Sequence, residues 1–326
     1  MKNNHKSGGP LGFLKQEYYQ SWANYHVKFL NAYAEHNISF WAISTGNEPM
    51  SGIIGLPIPA VGWIAFTQKQ WVQNNLGPAI RKSAHSKIKL LALDGQRYLL
   101  PSYIEIMFES KKVKDYIDGI AVHWYGDNIS PSFSLTFTHE QFPEKPILAT
   151  EASIGVYQKQ KVSLGNWERG ERYVHSIIQL ISSIVIEVCK ALKMALRDQV
   201  KDIENFVTGW VDWNMVLNLE GGPTVYNNPL DAPIIINGTG GEFYKQPMFY
   251  AMGHFSKFVH PGSRRIQTQR YSEDVLVAGF LRPDKIKVLV IMNKSSKKRN
   301  LTIRNVGSMN KINLTLSRSS FTTILF

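Results

Sequence analysis

The chain has 326 residues, enough for one (β/α)8-sized domain of about 250 residues and a small satellite. With 44% hydrophobic and 19% charged residues it has the composition of a packed core. A single Cys excludes a disulfide framework within the chain and any Cys-based zinc cluster, and no run approaches the about 18 apolar residues of a membrane-spanning helix. The net charge of +12 is local, with 13 Lys/Arg against three Asp/Glu from Gly262 to Phe326, and no helix-turn-helix, zinc-finger or RNP pattern accompanies it, which argues against nucleic acid as a partner. Residues 1–10 are positively charged without an apolar run behind them and do not read as a secretory signal.

From Gln16 to His36, Tyr18, Trp22, Tyr25, Phe29 and Tyr33 recur every three or four positions, which predicts a helix with these residues on one face. A short strand, Ile38 to Ser44, then stops at Gly46-Asn47-Glu48-Pro49. Thr67 to Lys82 reads as a second helix, capped by Thr67 and interrupted near Gly77-Pro78. A strand over Ile88 to Leu93 ends at Asp94, a helix runs from Tyr103 to Lys112, and strands follow at Ile117 to His123 and Pro146 to Thr150, the latter ending at Glu151. A long helix from Trp167 precedes a last strand, Phe206 to Trp213. These are five βα units of a parallel sheet. Beyond Gly262 the runs Val275 to Phe280, Lys287 to Met292, Asn300 to Arg304, Ile312 to Leu316 and Phe321 to Phe326 alternate with turns and predict an antiparallel β module.

In a parallel α/β barrel, side chains that do chemistry stand at the C-terminal strand ends. Glu48 and Glu151 occupy such positions. Each read singly is equally an ordinary loop acid; read as a pair facing one pocket, they are the proton donor and the nucleophile or base of glycosidic cleavage. His123-Trp124-Tyr125 and Gly209-Trp210-Val211-Asp212-Trp213-Asn214, at two other strand ends, add flat rings to stack on a sugar and amides to read its hydroxyls. Taken singly, Trp124 and Trp210 are equally core residues.

Phe40 to Pro49, Ile120 to Tyr125, Ala149 to Ala152, Glu220 to Pro223, Phe243 to Tyr250 and Gly253 to Phe258 together resemble the glucosylceramidases, the lysosomal glucocerebrosidases of glycoside hydrolase family 30, from about Tyr19 to the C terminus. The resemblance implies an α/β fold: a (β/α)8 TIM barrel over residues 1–258 and a C-terminal antiparallel β-sandwich over 259–326. It makes Glu48 the acid/base at the end of the fourth barrel strand, with Asn47 beside it as the amide on the sugar 2-hydroxyl. Glu151 becomes the nucleophile at the end of the seventh. Gln96, His123, Tyr125, Trp213 and Asn228 match residues that line the glucose pocket or orient the nucleophile, while Asp212 reads as structural. Pro229 stands where the family often carries an aromatic ring. A retaining mechanism requires the two carboxyls to lie about 5 to 5.5 Å apart, with Glu48 raised in pKa and Glu151 ionised.

Only the Gln16 to His36 helix precedes the Glu48 strand, so the expectation is a partial barrel of strands four to eight. Leu180 to Lys201 reads as an amphipathic, helix-like insertion carrying Cys189, either a translated intron or a genuine helix extension. Asn37, Asn128, Asn237, Asn293, Asn300 and Asn313 head glycosylation acceptor patterns, which suggests descent from a secretory-pathway protein.

The expected function is hydrolysis of glucosylceramide to glucose and ceramide by a retaining β-glucosidase of the lysosomal lumen. Its basic β module would rest on an anionic membrane surface, though a solvated basic face explains the charge equally, and a saposin-like activator is an expected partner. The alternatives are an inactive truncated isoform or gene-model fragment, and a family member acting on another β-linked glucoside or a xyloside. The two-carboxylate mechanism calls for no metal and no cofactor.

Overall fold

Short runs of Leu, Ile, Val and Ala form a parallel sheet of five strands in the order β1-β2-β3-β4-β5: Ala42–Ser44, Lys89–Gln96, Gly119–His123, Ile147–Glu151 and Val207–Trp210. The structure is a computed structural model that describes the chain except residues 57, 131–132, 157, 182–205, 225, 269–271 and 306–308. Cys189 and nearly all of the expected insertion lie outside the described residues. Two compact units are present, the first made of 1–152 and 206–212, the second of 153–181 and 213–326.

The sheet belongs to the first unit. All five residues of β3 are buried, as are Leu90, Ala92 and Leu93 of β2 and Ile147 and Ala149 of β4, the pattern of strands covered on both faces. The expected strands are recovered in order, with β1, β3 and β5 shorter than their apolar runs and β2 extended to Gln96. The helix α1, Tyr19–Ala34, is also present, but it turns Ala23 and Leu30 inward, while Tyr25 stays 56% exposed and Phe29 and Tyr33 are exposed as well. Periodicity found the helix, and the face its aromatic residues share is not the one that holds Ala23 and Leu30. After it, Ser51–Ile54 forms the single turn α2, which packs so tightly that a Cβ on Gly52 would lie 2.4 Å from the Gly62 nitrogen.

The expected helix over Thr67 to Lys82 begins earlier, at Ala65, and Thr67 is not its cap; the Thr67 hydroxyl donates to Ile64 O at 3.1 Å. The expected interruption near Gly77-Pro78 lies just before that pair. Between α3, Ala65–Trp71, and α4, Gly77–Arg81, the chain widens into a π-helical turn over Val72–Leu76, which carries the helix into its proline.

In the second unit Val216–Asn218 (β6) pairs parallel with Ile234–Asn237 (β7), which pairs antiparallel with Glu242–Lys245 (β8). The antiparallel sheet has the order β14-β11-β10-β9, from Ser320–Leu325, Lys287–Asn293, Val275–Leu281 and Arg264–Ile266. A hairpin of β12, Arg299–Arg304, and β13, Lys311–Leu316, packs Leu301, Ile303, Leu314 and Leu316 against Val275, Val277, Leu289 and Ile291. That inner face is a sandwich core; Asn300, Thr302, Arg304, Lys311, Asn313 and Thr315 alternate onto the exposed outer face.

Candidate active site

Four strand ends of the first unit bring five of the expected residues together. Glu48 follows β1, Gln96 ends β2, His123 ends β3 with Tyr125 two residues on, and Glu151 ends β4. Parallel register sets the C-terminal ends of neighbouring strands side by side, pairing Gln96 with His123 and His123 with Glu151. Carboxylate oxygens of Glu48 and Glu151 and a ring nitrogen of His123 all lie within 4.8 Å of one another.

Hydrogen bonds fix the group. Gln96 Nε2 donates to Glu48 Oε1 at 2.7 Å, and the Ser51 hydroxyl lies 2.5 Å from Glu48 Oε2. His123, 2% exposed, spans two acids, Nδ1 at 3.0 Å from Glu48 Oε1 and Nε2 at 3.1 Å from Asp94 Oδ1, and Nδ1 is also 3.9 Å from Glu151 Oε1. Tyr125 donates its hydroxyl to Glu151 Oε1 at 3.0 Å.

Sequence reasoning noted Asp94 only as a strand terminus and passed over Ser51. Asp94 also accepts from the Thr150 hydroxyl at 2.8 Å. Its position depends on a bulge: Leu93 and Asp94 have φ of 75° and 50°, and the β2–β3 register shifts between Leu93 and Gly95. Glu48 too has a positive φ of 43°, and its N–H donates to Asp94 O at 2.8 Å, so the strained residues hold one another. The one signal available in the sequence was the acid-glycine-amide run Asp94-Gly95-Gln96 at a strand end.

Burial works against the His123 imidazolium, but hydrogen bonds to Asp94 and Glu48 and the charges of Asp94 and Glu151 outweigh it and push its pKa up to about 10. Burial likewise opposes the Asp94 carboxylate, and the His123 hydrogen bond and charge, with the Ser44 and Thr150 hydroxyls, still hold it below its ordinary value. For Glu151 burial prevails: its pKa rises, with the Glu48 charge adding to the rise and the His123 cation and the Tyr125 hydroxyl opposing it. The expectation had Glu151 as the readily ionised carboxyl, and desolvation is the reason it sits higher.

His123 therefore ties stability to pH. Its pKa is near 6.5 in an unfolded chain and about 10 when folded, so its contribution is complete below about pH 6.5 and is lost as pH climbs to 10. The melting temperature is expected to fall across that window, and Asp94→Asn, which removes one of the two partner charges, is expected to flatten the fall. A wild-type melting temperature that is level from pH 6.5 to 10 would count against a charged His123.

The same three donors have metal-site spacing, and here they contact one another and Asp94, His123 Nδ1 meeting Glu48 Oε1 and Nε2 meeting Asp94 Oδ1. Asn47 is exposed beside Glu48. Trp213 and Asn228 belong to the second unit: Trp213 is about half exposed, and Asn228, half-buried, donates its N–H to the Thr224 hydroxyl at 3.0 Å.

The sequence model for the glycosyl hydrolase family 30 TIM-barrel domain matches residues 2–190 and 188–259, and that for the family's beta sandwich domain matches 262–324. The chain is 40% identical over 311 residues to the lysosomal acid glucosylceramidase of Mus musculus, covering 93% of this chain and 56% of that one. It is 37% identical to the putative glucosylceramidase 4 of Caenorhabditis elegans, covering 98% of this chain and 59% of that one. The chain thus spans little more than half the length of these relatives. Among solved structures, SrfJ from Salmonella typhimurium superposes with a TM-score of 0.82 at 25% identity, covering 100% of this chain and 66% of that one.

Proposed function

Because the chain belongs to glycosyl hydrolase family 30, we propose that Glu48 and Glu151 are the acid/base and the nucleophile of a retaining β-glucosidase whose substrate is glucosylceramide. The observation that carries this reading is the approach of the two carboxylates to within 4.8 Å, close to the about 5 to 5.5 Å of retaining enzymes and well short of the about 6.5 to 9.5 Å that leaves room for the water of an inverting one.

The chemistry follows from the contacts. A Glu151 oxygen attacks the anomeric carbon from one face; the bond to the leaving oxygen breaks with its electron pair, and Glu48 gives that oxygen a proton. Water then attacks the same carbon, returns a proton to Glu48 and releases Glu151. Tyr125 steers Glu151 by its hydroxyl, and the His123 cation offsets the repulsion of two carboxylates at this distance. Asn47, exposed beside the acid, fits the amide on the 2-hydroxyl.

The test is a mechanism-based glucoside inhibitor on the chain, with mass spectrometry of the digest. A covalent glucosyl adduct on the peptide containing Glu151 is expected; hydrolysis without an adduct there would overturn the assignment. A substrate panel of glucosylceramide, other β-glucosides and xylosides separates the lipid reading from its neighbours in the family.

The division into a barrel over 1–258 and a sandwich over 259–326, lysosomal action at an anionic membrane, and help from a saposin-like activator belong to the same reading. Exposed Arg264, Lys285, Lys297, Lys298, Arg304, Lys311 and Arg318 on the second unit support the membrane contact. For a chain made in the secretory pathway, glycopeptide mapping is expected to find glycan at Asn300 or Asn313 and none at Asn293. The first two side chains stand on the exposed hairpin face, whereas the Asn293 amide is buried and donates to Lys297 O at 3.0 Å and Ser317 O at 2.7 Å. Glycan on Asn293 would contradict the packing of this turn.

A further inference from the structure

We propose that Ser51 is a positioning residue that seats the proton of Glu48 on Oε2, an inference that rests on Glu48 being the proton donor. The two carboxyl oxygens of Glu48 have different neighbours. Oε1 faces Gln96 Nε2 at 2.7 Å and His123 Nδ1 at 3.0 Å. Both are committed donors. The Gly126 N–H donates to Gln96 Oε1 at 3.0 Å, which fixes the amide with its NH2 toward Glu48. His123 is held as the imidazolium by Asp94 and by the charge of Glu151 as well as by Glu48, so Nδ1 and Nε2 both carry hydrogen. Two N–H groups fill Oε1, and a proton there would meet them head-on.

Oε2 has a different neighbour, the Ser51 hydroxyl at 2.5 Å, which can turn to donate or to accept. In the acid form Glu48 carries its proton on Oε2 and Ser51 Oγ accepts from it; in the carboxylate form Ser51 donates to the new charge. In the first half-reaction the Oε2 proton passes to the leaving oxygen, which keeps the electron pair of the broken bond, while the anomeric carbon bonds to Glu151. In the second, water supplies its oxygen to the anomeric carbon and a proton to Oε2, restoring both glutamates.

The backbone holds Ser51 for this. Its N–H donates to Glu48 O at 2.9 Å, and the positive φ of Glu48 folds the carboxyl back over the same turn. The next residue, Gly52, is wedged against Gly62 and accepts the Gly12 N–H at 2.8 Å. Ser51 and Glu48 are 5% and 6% exposed, so bulk water does not take the hydroxyl's place.

The test is a carbon-13 NMR titration of the chain with labelled glutamate carboxyls, the Glu48 signal being identified by its loss in Glu48→Gln. Removing a hydroxyl that donates to an ionised carboxylate favours the neutral form, so Ser51→Ala is expected to raise the Glu48 midpoint by about one pH unit. The alkaline limb of kcat/KM should move up with it while the acid limb stays. Ser51→Thr, which keeps the hydroxyl, should restore the wild-type midpoint, and Ser51→Cys, a weaker donor, should fall between. An unmoved midpoint in Ser51→Ala, or in Ser51→Cys should the alanine variant fail to fold, overturns the proposal. The glycosidase reading is judged apart from this by the adduct on Glu151: a labelled protein with an unmoved midpoint sinks Ser51 alone, and an unlabelled protein with a shifted midpoint sinks the hydrolase reading alone.

Discussion

Glu151→Gln is expected to abolish covalent labelling by a mechanism-based glucoside and to lower kcat by on the order of 10^4-fold or more, the scale of losing a nucleophile. The substitution is nearly isosteric, and an amide oxygen still accepts from the Tyr125 hydroxyl that holds Glu151 at 3.0 Å, so the fold has little reason to change. What disappears is the charge that attacks carbon. It also disappears from the surroundings of His123, 3.9 Å away, and the imidazolium then has only Glu48 and Asp94 for support. Labelling at undiminished rate in the variant would place the nucleophile elsewhere and end the two-glutamate account.

Glu48→Gln should behave differently, and the contrast is the sharper test. General acid catalysis contributes about 10^2 to 10^4-fold, equivalent to about 3 to 5 kcal/mol of barrier, and is needed most by a leaving group that is a poor one, such as the alkoxide of a lipid alcohol. The variant is therefore expected to lose that factor on a lipid glucoside, to lose much less of its first step on an activated aryl glucoside, and to accumulate the glucosyl adduct on Glu151 because no base activates the water. Its pH profile should also lose the alkaline limb that the acid imposes. Equal losses on both leaving groups would remove Glu48 from the proton transfer.

Much of the site was legible because parallel strands expose side chains at one end. An acid after β1, an amide ending β2, a histidine ending β3 and an acid ending β4 are one row once the strands are in register; Glu48, His123 and Glu151 stood out as polar residues closing apolar runs, whereas Gln96 came from the family resemblance alone. Asp94 was hidden by backbone geometry: a left-handed Leu93-Asp94 pair and a shifted register aim a residue that strict alternation would send elsewhere. Ser51 was hidden because nothing in the spacing of a serine three residues after a glutamate says that the chain will double back on itself. In the fold, β6 to β8 and β9 went unread, being three or four residues each and interrupted by glycine and proline, too short for alternation to register. The exposure of the aromatic face of α1 went unread, because periodicity marks a face without saying which side of the helix its neighbours cover.

That face has its own effect on the life of the molecule. Tyr25, Phe29 and Tyr33 stand in water along α1, and Trp41, 62% exposed, enters β1, which pairs with β2 alone in the described sheet. Rows of exposed aromatic rings beside unpaired strand backbone are what chaperones and degradation machinery read as unfinished folding. Association at high concentration is therefore expected to start from α1 and the open edge of β1 rather than from the buried ends of the other strands.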